Sequence, residues 1–202
     1  MMVESTSAQP ALADWRDRLA TILLDADAYD PERQFVNIDR VWQSPNSLSQ
    51  CTACLAGYIR ESLPREDIAG LLSVDTVLYP YGPVPLAANL AVELNLKLGI
   101  NKENADPLSG AHRLYGHIPS SNALLLYDVT RFGLTLLRAI LAMAEEGCRP
   151  RWVVTLMDCG QGAEALVRRE AGNKDHEVDF LAVLNLQTLA AASDKRRGAT
   201  IP

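Results

Sequence analysis

The chain predicts an α/β fold in which helices cover both faces of a largely parallel sheet. From Asp75 onward, short strands alternate with amphipathic helices. Most of those strands are continuously apolar, the pattern of strands buried on both faces. At 202 residues, with neither an internal repeat nor a linker, one core and one domain suffice. That domain divides into N-terminal helices and a small hood over about residues 1–70, a core over about 71–192, and a tail over 193–202.

Pro10 to Asp27 predicts the first helix, with Trp15, Leu19, Ile22 and Leu23 at helical spacing and proline in the first turn. A short extended piece follows at Gln34–Asp39. Ser47 with Gln50 reads as a capping box for a helix ending near Glu61. Thr76–Tyr79 reads as a strand, and Leu86, Leu90, Leu94 and Leu98 as the stripe of the next helix. A strand near Lys97–Ile100 leads into a polar stretch, Asn101 to about Ser121. Its length and its Gly, Pro and Asn content mark it as a loop that is either disordered or functional. Ala123–Tyr127 is an apolar strand. Leu134–Glu146 is a helix with Leu137, Ile140, Leu141 and Ala144 inward, stopped by Gly147. Trp152–Met157 and Val178–Leu184 are further buried strands, and Gln187–Ala192 a short last helix.

Composition excludes several classes. The net charge of -6, from 19 basic and 25 acidic residues, opposes a general nucleic-acid binder. Lys195–Arg197 reads as part of a solvated tail. The N-terminus lacks the basic and apolar regions of a secretory signal, and the most apolar stretch, Asn122–Ala144, carries Asp128, Arg131 and Arg138, which opposes a membrane span. A cytoplasmic protein is expected. Cys51 and Cys54 form a CxxC, but no second pair accompanies it and the three histidines show no ligand spacing. Both cysteines share an apolar helical face with Leu55, Tyr58 and Ile59, so two core thiols are expected.

Chemistry concentrates in the turn after Ala123–Tyr127, where ligands of an open α/β sheet bind. Tyr127-Asp-Val-Thr-Arg-Phe-Gly-Leu-Thr135 places an acid at a strand end, then a short loop, then a helix N-terminus. Unpaired N–H groups and the helix dipole favour an anion there, and Arg131 adds a charge-assisted contact.

Ala123–Ile140 resembles the phosphoribosyl-diphosphate motif of type I phosphoribosyltransferases: an apolar strand, two adjacent acids and a Thr/Gly-rich loop opening a helix. Three further stretches resemble orotate phosphoribosyltransferases in the same order along the chain. Phe35-Val-Asn-Ile-Asp-Arg40 with Ser44-Pro45 is similar to their hood segment. Gly82-Pro-Val-Pro-Leu-Ala-Ala88 is similar to a Gly-Gly-Ile-Pro-Leu-Ala turn. Glu146-Gly-Cys148 and Thr155-Leu-Met-Asp-Cys-Gly-Gln-Gly162 are similar to Ala-Gly-Ala and Val-Asp-Arg-x-x-Gly-Gly stretches. The resemblance implies the type I phosphoribosyltransferase fold and transfer of 5-phosphoribosyl from its 1-diphosphate to a nitrogenous base, with Mg²⁺ on the diphosphate and ribose hydroxyls and no residue assigned to the metal. It also implies a homodimer, the commonest assembly. Carried onto this chain, Tyr127, Asp128, Thr130, Arg131, Phe132, Gly133, Leu134 and Thr135 hold ribose and 5′-phosphate. Tyr81, Gly82 and Pro83 form the diphosphate-side turn, and Phe35 and Asp158 lie on the base side. Asp128, with Lys102, His112 and Arg113 as the basic contacts, makes the catalytic set.

The chain departs from the motif. Tyr127 replaces the first acid, Arg131-Phe132 replace two threonines, Leu134 replaces a glycine, and Pro83 removes a backbone donor. One carboxylate fewer means weaker metal binding. A non-catalytic, regulatory relative that binds a nucleoside monophosphate or a sugar phosphate is therefore the alternative function. An unrelated α/β subunit is a third class.

Overall fold

A computed structural model of the protein describes residues 12–75, 82–103, 112–172 and 177–199. Helix α1 (Leu12–Asp25), the antiparallel pair β1 (Tyr29–Asp30) and β2 (Phe35–Val36), the short α2 (Asp39–Trp42) and helix α3 (Pro45–Ser62) precede the main sheet. Its strands are β3 (Gly70–Asp75), β4 (Leu98–Glu103), β5 (His112–Gly116), β6 (Ala123–Thr130), β7 (Pro150–Asp158) and β8 (Asp179–Asn185). They are interleaved with α4 (Val84–Leu94), α5 (Leu134–Glu145), α6 (Ala163–Ala171) and α7 (Leu186–Gly198). The spatial order is β5-β4-β3-β6-β7-β8, with every neighbouring pair parallel except β4 and β5.

Alternation along the strands builds two cores. Leu124 and Leu126 of β6 and Trp152, Val154 and Leu156 of β7 join α1, α3 and α4 on one face. Ala123 and Leu125, with Val153 and with Leu72 and Val74 of β3, meet α5 and α6 on the other. Burial on both faces explains why these strands are apolar at consecutive positions. The CxxC packs as expected: Cys51 and Cys54 are buried free thiols, and the Cys54 thiol donates to the Trp15 carbonyl at 3.1 Å. Burial pushes Cys51 up beyond the usual thiol range and Cys54 up to about 11, so neither is a nucleophile at neutral pH.

Several boundaries differ from the sequence expectation. The cap of α3 is Ser44, whose hydroxyl accepts from the Ser47 N–H at 3.3 Å; Pro45 fills the first helical position, which displaces the Ser47–Gln50 box. Thr76–Tyr79 and Tyr81 lie outside the described residues, and the strand before them is Gly70–Asp75. Helix α4 stops at a left-handed Asn95, which hands Leu98 to β4. The stretch expected to be a loop over Asn101–Ser121 is partly sheet: β4 continues to Glu103 and pairs antiparallel with β5, Gly99 opposite Gly116 and Lys102 opposite Arg113. On α5 the buried residues are Leu136, Leu137, Ala139, Ile140 and Met143, so Leu137 and Ile140 face inward as expected, while Leu141 is 45% exposed and Ala144 only half-buried. Helix α6 is additional. Helix α7 carries Lys195–Arg197 in its last turn, where cations suit the helix dipole and Arg196 meets Asp25 at 2.7 Å, so these residues are not a tail. Among the described residues no helix is long and apolar enough to cross a membrane.

Gly99 sits where the β4–β5 edge closes on itself, and a Cβ there would collide with the His117 carbonyl oxygen and a Leu72 methyl. Gly99→Ala is expected to cost about 2–3 kcal/mol, because the obstacle is backbone. Gly198→Ala, with nothing within 4 Å of an added Cβ, should be neutral or slightly stabilising. Urea denaturation midpoints of the two variants check both expectations.

Candidate functional site

The connection leaves β3 toward β4 on one side and returns to β6 on the other, so the order reverses between β3 and β6. Ligands of open sheets bind at such a reversal, beyond the carboxyl ends of the strands. A cleft of about 520 Å³ opens there. Val74, Gly82 and Pro83 line it from the β3 side, Tyr127–Leu136 from β6 and α5, Phe35–Asp39 from the hood, and Cys159 from the end of β7. A shallower depression of about 610 Å³ lies at the opposite end of the strands. Its two arginines are already engaged, Arg151 with Asp179 at 3.3 Å and Arg168 with Glu164 at 2.9 Å.

Strand β6 runs three residues beyond Tyr127, so Asp128, Val129 and Thr130 belong to the strand, and the connecting turn is Arg131-Phe132-Gly133. Successive side chains leave opposite faces. Tyr127 packs against the α5–α6 core. Asp128 faces the hood, where Asp39 adds to its electrostatic surroundings. Thr130 is 1% exposed; its hydroxyl lies 3.3 Å from both the Met157 carbonyl and Asp158 Oδ1, tying β6 to β7. Asp158 also accepts from the Gly160 N–H at 3.1 Å and so shapes the turn after β7. Asp158 is not among the residues lining the cleft.

Gly133 has φ +77 and no capping side chain, a conformation that favours glycine. The first intrahelical bond of α5 joins the Leu137 N–H to the Gly133 carbonyl. The N–H groups of Leu134, Thr135 and Leu136 therefore have no partner within the helix and form an anion seat. Phe132 and Leu134 are 60% and 58% exposed. Pro83 caps α4, its carbonyl accepting from the Ala87 N–H at 2.8 Å.

The Arg131 guanidinium carbon lies 5.9 Å from the Phe35 ring centroid. Burial pushes the Cys159 thiol up, and the nearby Arg131 guanidinium opposes that rise. The sequence singled out Phe35 but neither Cys159 nor Asp39; the signals available were the Asp-Cys-Gly-Gln-Gly turn after β7 and the hood segment itself. Lys102 stands apart from the cleft lining, 4.0 Å from Asp75 across the β3–β4 pair. His112 and Arg113 lie on β5, opposite Glu103 and Lys102. Among the described residues no cluster of three His, Cys, Asp or Glu could hold a metal ion unaided.

Desolvation pushes the Asp128 carboxyl up to about 6, opposed by its hydrogen bond from the Val129 N–H at 2.7 Å. An acid whose pKa rises on folding holds its proton more tightly in the native state, so stability falls as pH rises from about 3.8 through about 6. Asp128→Asn should match the unmodified protein below that window and exceed it by about 3 kcal/mol above it. Unfolding free energies measured between pH 4 and 8 check this; a gap independent of pH would contradict it.

No family model matches the chain. Curated relatives do. One, an orotate phosphoribosyltransferase of Methanosarcina mazei, is 31% identical over 164 residues, covering 80% of this chain and 76% of the relative. A second, the enzyme of that name from Methanopyrus kandleri, is 28% identical over 189 residues, covering 89% and 94%. The crystal structure of orotate phosphoribosyltransferase from Aeropyrum pernix superposes with a TM-score of 0.69 at 19% identity, covering 88% of this chain and 98% of that one, which shows the shared fold. With the strand reversal, the acid at the end of β6 and the glycine-opened α5 at one cleft, these similarities establish that the chain belongs to the orotate phosphoribosyltransferase family.

Proposed function

We propose that the protein transfers 5-phosphoribosyl from its 1-diphosphate to a pyrimidine base of the orotate class. The observation that carries this reading is the placement of Asp128 and the uncapped α5 N-terminus on one cleft at the strand-order reversal. The C1–O bond to diphosphate breaks, a bond from C1 to the ring nitrogen forms, and positive charge builds on the ribose between the two events. The unpaired N–H groups of Leu134–Leu136 hold the 5′-phosphate and fix the sugar. Asp128, ionised above about pH 6, holds the ribose hydroxyls and sets a negative charge beside the developing cation. The hood residues Phe35–Ile38 cover the base and limit water.

Bound Mg²⁺ would neutralise the charge that develops on the leaving diphosphate. One carboxylate and substrate oxygens make a set that Mg²⁺ accepts, and Asp128 is the carboxylate available here. A homodimer in the cytosol suits the four unpaired thiols, which a reducing compartment keeps.

Tyr127 favours a second reading. Its ring packs into the α5–α6 core in place of a second acid. A protein that binds nucleoside monophosphate without turnover would tolerate that exchange.

The direct assay is diphosphate release from the donor with orotate and Mg²⁺. Release is expected, rising with pH through about 6 as Asp128 ionises. Asp128→Ala should lower it about 100-fold or more, and Tyr127→Asp should tighten Mg²⁺-dependent donor binding on the order of tenfold. Binding of a nucleoside monophosphate with no release for any pyrimidine would move the assignment to the second reading.

A further inference from the structure

We propose that the Arg131 side chain is the specificity-determining cation of the acceptor half of the cleft, selecting a base that carries a carboxylate. The inference deepens the transferase reading and rests on it. Arg131 follows directly on β6, in the turn whose backbone leads to the anion seat, yet its guanidinium is not directed along α5. It lies over the Phe35 ring of the hood, 5.9 Å from the centroid, and shares the cleft wall with Cys159 at the end of β7. The side chain thus bridges hood and sheet, and the two functions of the turn separate: backbone to phosphate, guanidinium to the base side.

Charge supports this assignment. Among the described residues Arg131 forms no ion pair with a carboxylate, whereas Arg151, Arg168, Arg169 and Arg196 are each paired. The aromatic face it contacts orients the guanidinium, and the nearby thiol, kept neutral by burial, does not neutralise it. Five N–H donors in a planar fork, most of them uncommitted, match a carboxylate bidentately. Phosphate, the competing anion, already has its seat at the start of α5.

Two sequence departures become one exchange. The resembling stretch Val-Asp-Arg carries an arginine where this chain has Cys159, and the resembling loop carries a threonine where this chain has Arg131. The smaller cysteine leaves room, and the neighbouring turn returns a cation to the same corner of the cleft.

The test compares orotidine and uridine 5′-monophosphates, which differ only in the carboxylate, by calorimetric titration that needs no turnover. The unmodified protein should prefer the carboxylated nucleotide by about 30-fold. Arg131→Thr should reduce that preference to about twofold while changing the affinity for inorganic phosphate by less than about threefold. The double variant Arg131→Thr with Cys159→Arg should regain most of the preference, a recovery that a merely structural arginine would not give. Circular dichroism checks folding; should Arg131→Thr not fold, Arg131→Gln replaces it in the single and double variants alike. Equal weakening of inorganic phosphate and both nucleotides would make Arg131 a phosphate residue and overturn the proposal, as would an unmodified protein that does not discriminate. Retained discrimination without diphosphate release would overturn the transferase reading alone.

Discussion

Burial of β6 on both faces is the constraint from which the site follows. Ala123 to Leu126 are 0% exposed, each leucine contributing about 2 kcal/mol to folding, and both flanking strands pair in parallel with β6. A strand so enclosed carries polar groups only where they find partners or a cleft: Thr130 is tied to β7, with which β6 stays paired to its last residue, and Asp128 opens onto the cleft. The order of chemistry along the chain is therefore dictated by packing: apolar residues, then an acid at the rim, then a turn with enough freedom to start a helix. Asp128 shows the cost of this position, since the surroundings that place it also resist its ionisation.

What the sequence disclosed tracks how strongly each segment is buried. Ala123–Tyr127 and Trp152–Met157 were legible because two-sided burial writes a run of apolar residues that no exposed element needs. Gly70–Asp75 was not, because Ser73 interrupts the run and the aromatic, β-branched Thr76–Tyr79 competes for the same assignment. The β4–β5 pairing was hidden for the opposite reason. Its sequence is polar at Asn101, Lys102 and Arg113 and so reads as loop, although Asn101 is buried with its amide donating to the Ala139 carbonyl of α5 at 3.2 Å. Local chemistry misled at Ser47–Gln50, where a proline two residues earlier decided the helix start, and on α5 at Leu141, although Leu137 and Ile140 face inward as the spacing required.

The candidate site divides similarly. Residues contiguous with a strand–turn–helix pattern were found together because one short segment carries them. Cys159 and Asp39 reach the same cleft from β7 and from the hood, 120 residues apart in the chain, and only the folded topology unites them. Direction also escaped the sequence: the spacing placed Arg131 in the anion-binding turn but not its guanidinium across the cleft against Phe35. Alternation along β6 likewise packs the half-buried Tyr127 against the α5–α6 core at the cleft wall and leaves Asp128 as the acid facing the hood, which gives the loss of the first carboxylate a packing reason.

At Gly133 the two turns that wall the cleft touch. A Cβ there would stand 3.0 Å from the Cα of Ala163, the first residue of α6. The turns after β6 and β7 consequently behave as one mechanical part, whose halves cannot drift separately in evolution. A larger residue in either turn demands accommodation in the other, so substitutions around positions 131–135 and 159–163 will be epistatic rather than additive. The hood meets the α5 turn at the Arg131–Phe35 contact, made between two exposed side chains rather than against backbone. Diversification of the acceptor should therefore proceed more readily through the hood than through the paired turns.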